Sequence, residues 1–80
     1  MRNACTKQLA AAKRVRKEAN KTFWKIAEKG WTKANSHVSV RAMMAAGKAV
    51  DAATRGSCKA ATGLLTKAKR SLRAAKAMAR

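Results

Sequence analysis

The stretch KRVRKEANKTFWKIAEKGWTK, residues 13–33, carries lysine at every fourth position: Lys13, Lys17, Lys21, Lys25, Lys29 and Lys33. On an α-helix, residues four apart lie on one face, about 6 Å apart along the axis. The first four lysines, with Lys7 and Arg14, are therefore expected to form a cationic strip. Leu9, Ala12, Val15, Ala19, Phe23 and Ile26 recur at helical spacing on the opposite side, as an apolar face does. Like charges at i,i+4 oppose helix formation by about 0.2–0.5 kcal/mol per pair. Such a ladder is tolerated most easily with a polyanion alongside; the plainer reading is a solvated lysine face.

The rest of the chain agrees with the polyanion reading. Lys and Arg number 20 against three acids, Glu18, Glu28 and Asp51, for a net charge of +17 in 80 residues. That excess self-repels and attracts nucleic acid or an anionic membrane. Alanine supplies much of the nominally hydrophobic fraction and adds helix propensity more than burial. A domain this small with few bulky apolar groups is marginal alone. The expectation is an all-α fold in one basic domain, residues 1–80. It is either a small three-helix up-down-up bundle or three consecutive helices wrapped on a partner, with stability drawn from that partner or from self-association.

Working outward, Asn3 or Thr6 is read as the first N-cap, and helix 1 as about 4–29, with Gly30 as its stop. Its core face is Cys5, Leu9, Ala12, Val15, Ala19, Phe23 and Ile26. Trp24 falls among Lys13, Lys17 and Lys21, and Trp31 lies seven residues on. An indole among lysines has two readings. It snorkels under their stems or packs on another helix, or it stacks on a base or an assembly interface. Trp31–Ser36 is read as a linker, with Asn35-Ser36 as the cap of helix 2, about 37–54. There Arg41, Lys48 and Arg55 form a narrow ridge beside Asp51. The remainder, including Met43 and Met44, reads as core, which makes helix 2 the most buried of the three. Gly47 is read as permitting close approach of a helix or a phosphate backbone. Gly56 and Ser57 stop and restart the chain, and helix 3 covers about 58–79. Its apolar face is Ala61, Leu64, Leu65, Ala68, Leu72, Ala75 and Ala79; Lys59, Lys69, Arg70, Arg73 and Arg80 lie largely opposite.

Up-down-up packing places the starts of helices 1 and 3 together, and with them Cys5 and Cys58. The pair is compatible with reduced, buried thiols or with one disulfide. Zinc needs about four ligands, and His37 is the only histidine, so no metal is expected. Three scattered acids and one histidine supply no carboxylate pair or triad, and there is no phosphate-cradling glycine loop. No enzymatic activity and no cofactor are expected. No charge-free run approaches the about 18 residues of a membrane span, and no signal peptide is visible.

The function this implies is non-enzymatic nucleic-acid binding. The chain would neutralise and package or scaffold DNA or RNA through phosphate contacts, in a nucleoid, chromatin or virion. The residues expected to carry it are Lys7, Lys13, Arg14, Lys17, Lys21, Trp24, Lys25, Lys29, Trp31, Lys33, Arg41, Lys48, Arg55, Lys59, Lys69, Arg70 and Arg73. Self-association or neighbouring proteins in a larger assembly are the other expected partners. No zinc finger, RNA-recognition motif or leucine-zipper run is present, so little sequence preference is expected. The alternatives are a structural subunit of a ribosome or other ribonucleoprotein, and a cationic membrane-active protein. Thr6-Lys7-Gln8-Leu9-Ala10 is similar to part of a histone tail. The composition is similar in kind to bacterial linker-histone-like proteins and small helical ribosomal proteins. No diagnostic motif of either covers the chain, and no site is carried over.

Overall fold

The computed structural model describes residues 5–79. Three helices, α1 (Thr6–Lys29), α2 (Lys33–Thr54) and α3 (Cys58–Met78), form an up-down-up bundle about 44 Å long and only 16 by 14 Å across its Cα trace.

The narrowness follows from the core. The buried helix positions are Ala12, Val15, Ala19, Thr22 and Ile26 in α1, Ser39, Ala42, Ala46, Ala49 and Ala53 in α2, and Ala61, Leu65, Ala68, Leu72 and Ala75 in α3. Spacings of three and four alternate in each helix, the 3.5-residue period of coiled-coil seams. The α2 seam holds nothing larger than alanine or serine, so α1 and α3 settle close against it. The bulky buried groups, Val15, Ile26, Leu65 and Leu72, come from those two helices.

This period corrects three core assignments, one in α1 and two in α2. The expected core residue Phe23 is only half-buried, and Thr22 takes the seam position instead. The Thr22 hydroxyl donates to the Glu18 carbonyl at 2.9 Å, so its burial leaves no orphaned polar atom. In α2, Ser39 occupies the seam next to the expected Val38, which is half-buried. Met43 packs against the core as expected, but Met44 points to solvent at 57% exposure, because it lies two residues, about 200° of helix turn, from each of the seam positions Ala42 and Ala46. More of α2 falls short of full exposure than of either other helix, in keeping with its narrow polar ridge. Gly47 serves no close helix approach: a Cβ there would meet nothing within 4 Å.

The Ser39 hydroxyl is buried without a hydrogen-bond partner among the described residues. An unsatisfied buried polar group costs about 1–3 kcal/mol. Ser39→Ala should therefore raise the melting temperature, by a stability gain of about 1 kcal/mol. A lower melting temperature in that variant would show the hydroxyl to be useful where it stands.

The connections fix the handover between helices. Gly30 ends α1 with φ +106°, a conformation open mainly to glycine. The next helix begins at Lys33, four residues before the expected start. Thr32 is its cap and Asn35 its third residue. The Thr32 side chain accepts from the Asn35 N–H at 3.1 Å, and the Asn35 side chain accepts from the Thr32 N–H at 2.7 Å. This reciprocal box satisfies two end donors at once, so Asn35-Ser36 is not the cap. At the far end, the N–H groups of Gly56 and Ser57 return to the Ala53 and Ala52 carbonyls, closing α2 in a Schellman turn with Gly56 at φ +87°. Ser57 stands at the α3 cap position without a side-chain cap bond. Thr6 is the first residue of α1 and not its cap; Cys5 holds the cap position, and Asn3 lies outside the described residues.

Of the two states open to the cysteines, the structure has the disulfide. Cys5 and Cys58 are bonded, with Cα atoms 5.2 Å apart, tying the start of α1 to the start of α3. Cys5, Ala53 and Ala61 form a small buried cluster around the bond, covered by the half-buried Leu9 and Ala52.

Candidate nucleic-acid interface

Every lysine and arginine among the described residues is exposed. Among them, only Lys76 takes part in an ion pair, with Glu18 at 2.8 Å. The remaining positive charge is left facing outward.

The α1–α3 surface gathers that charge into a groove. Three successive depressions run along it. The first is bounded by Lys7 and Lys69, the second by Arg14, Lys69, Arg73 and Lys76, the third by Lys21, Lys25 and Lys76. Neighbouring depressions share Lys69, then Glu18 and Lys76, so they form one channel. Lys7, Arg14 and Lys21 are seven residues apart. On a seam of period 3.5 that spacing keeps a residue at the same edge of the interface. These three, joined by Lys25, make one bank; Lys69, Arg73 and Lys76 make the other. The floor is apolar or neutral, with Ala11, Val15, Leu65, Leu72 and Thr22.

Glu18 is the single acid of this channel. Its carboxyl is held below the usual carboxylate range, first by the hydrogen bond from Lys76 and the charge of that ammonium, then by Arg14 and Lys21. The pair therefore survives mild acid. Whatever stability it contributes is present above the ordinary carboxylate range and is lost as pH falls through the lowered value. Its structural effect is to hold the Lys76 amine over the channel.

The expected ladder does not form one strip. Four residues advance a helix by about 400°, so each lysine is turned about 40° from the last. Lys13 and Lys17 line a depression between α1 and α2, with Arg16, Asn20 and Met43. Lys21 and Lys25 have come round to the α1–α3 channel. Arg41 and Lys48 face a third depression between α2 and α3, with His37, Val40, Met44 and Lys67. Lys29 and Lys33 flank the α1–α2 turn, Arg55 and Lys59 flank the α2–α3 turn, and Arg70 stands exposed on α3; none of these five lines a depression described above. The sequence pattern did not single out Arg16, Lys67 or Lys76. The seven-residue spacing of Lys69 and Lys76 was the available signal for the last.

Trp24 and Trp31 are exposed, at 61% and 44%. Helix α1 stops at Gly30, so Trp31 sits in the turn and not on the Trp24 face of a continuing helix. Phe23 links them. Its ring meets Trp24 edge-on at a centroid distance of 5.5 Å and Trp31 tilted at 4.7 Å.

Among the described residues, no three histidine, cysteine or acidic side chains come together as a metal site. No helix there is long and apolar enough to cross a membrane. No known protein family matches the chain, and neither the curated proteins nor the solved structures hold a significant match to it.

Proposed function

We propose that the chain is a non-enzymatic nucleic-acid-binding protein. It neutralises nucleic acid and packages or scaffolds it through contacts to the phosphate backbone. One observation carries the reading: a channel with cations on both banks runs along α1 and α3, and the only acid in it is neutralised by Lys76. From Lys7 to Lys25 the channel covers about 27 Å of helix. One strand of a duplex rises about 3.4 Å per nucleotide, so roughly eight of its phosphates fall within that length, and the channel meets those that face it. Apart from the amide of Gln8 and the Glu18 carboxylate held by Lys76, the charged and polar lining is mainly point charges, which supports backbone contact with little sequence preference.

The disulfide bears on the setting. Disulfides persist in oxidising surroundings, virions among them, and are rare where thiols are kept reduced. Of the nucleoid, chromatin and virion settings, a virion best suits a packaging protein stapled by one.

The test is binding of the oxidised protein to duplex DNA and duplex RNA of mixed sequence across a salt series. A slope of log K on log salt of about −5 to −9 is expected, matching six to ten neutralised phosphates, with little change between sequences. No binding in dilute buffer would defeat the proposal.

A further inference from the structure

We propose that Trp24 and Trp31 form a stacking platform for unpaired bases, so that the preferred ligand is single-stranded nucleic acid or an unpaired end. This inference rests on the nucleic-acid reading above and adds the ligand class.

The chain has one phenylalanine, two tryptophans and no tyrosine, and all three aromatic rings meet at the α1–α2 turn. The bundle buries Ile26, Leu65 and Leu72, yet leaves its two largest side chains outside. In a core so short of apolar bulk, an indole held in water represents stabilisation forgone. The site is also held in place. Phe23 supports both indoles, and the Thr32–Asn35 box fixes the turn, with the Asn35 amide donating to the Gly30 carbonyl at 3.3 Å.

The surrounding charge selects the occupant. Lys17 and Lys21 precede Trp24 by two turns and one turn, Lys25 follows it, and Lys29 and Lys33 stand on either side of Trp31. A second copy of this chain brings +17 to the same place and is repelled. Single strands present a flat π face and a phosphate at every residue, and aromatic stacking with cationic tracking is how they are held without sequence preference. Bases inside a duplex offer no free face. Lys21 and Lys25, which line the end of the α1–α3 channel, stand three residues before Trp24 and one after it.

The experiment uses the oxidised full chain and three probes: an oligothymidylate of about twenty nucleotides, a duplex of the same length, and inorganic polyphosphate of equal charge. Tryptophan fluorescence and affinity are both read. The oligothymidylate should quench the emission, and polyphosphate should not. Trp24→Ala and Trp31→Ala should each weaken oligothymidylate binding by about tenfold or more, leaving polyphosphate binding unchanged. Trp24→Phe should restore most of the loss, with helix content by circular dichroism the same in all variants. If oligothymidylate and polyphosphate bind alike and neither quenches, the platform is refuted while the charge-based function stands. If none of the probes binds, both fall. If the tryptophan variants lose self-association instead of strand affinity, the indoles form an interface between copies and the inference is overturned.

Discussion

Reduction of the Cys5–Cys58 disulfide is expected to lower the melting temperature of the free protein by roughly 15 to 30 °C. The bond spans 53 residues of chain, from the start of α1 to the start of α3. In the chain-entropy account, closing a loop of that length removes about 4 kcal/mol of freedom from the unfolded state. For a small domain each kilocalorie is about 4–8 °C. Domains of this size seldom draw more than about 3–5 kcal/mol from their core, and this core is mostly alanine. Its seventeen excess positive charges push the compact state apart. Losing the staple therefore removes most of the margin. Cys58→Ser should behave as the reduced chain does, because either change opens the same loop. The measurement is thermal unfolding by circular dichroism with and without reductant. If the proposed function holds, a polyanion that binds the folded state also screens the repulsion, so added polyphosphate should recover much of the lost melting temperature. A shift of only a few degrees on reduction would show that the alanine seams hold the bundle unaided.

How much of this was legible in the sequence can be judged from particular residues. The three helices and both glycine stops were, because Gly30 and Gly56 interrupt alanine-rich periodic runs. The start of α2 was not. Asn35-Ser36 has the residue types of a cap, but the reciprocal bonds between Thr32 and Asn35 win because they satisfy two backbone donors instead of one. Phe23 was placed in the core by a 3.6-residue period, whereas packed seams run at 3.5 and choose Thr22. The difference is small over one turn and decisive over four. The proximity of Cys5 and Cys58 followed from short turns alone; the oxidised state did not. The candidate site was half legible. The cations are in plain view, but their grouping depends on which helix edges face each other. That is why a ladder conspicuous in the sequence is split in space, while the heptad set Lys7, Arg14 and Lys21 meets Lys69 and Arg73.

Replacing Lys7, Arg14, Lys21, Lys69 and Arg73 with glutamine should reduce the salt slope for duplex binding by about four to five units, close to 0.9 for each phosphate no longer neutralised. A companion variant with Arg41, Lys48, Arg55, Lys59 and Lys67 replaced loses the same formal charge from the α2–α3 side and from the α2–α3 turn. It should change the slope by about one unit or less. Lys76 is left alone in both, since removing it would strand Glu18. All ten side chains are exposed, and lowering the net charge relieves self-repulsion, so neither variant should lose helix content. The comparison separates a built channel from diffuse attraction. Long-range attraction to a polyanion depends on total charge and treats the two variants alike, whereas counterion release follows the number of phosphates neutralised at close range. Equal slopes would mean that the charge acts as a coat over the whole rod and that the α1–α3 channel has no special part in binding.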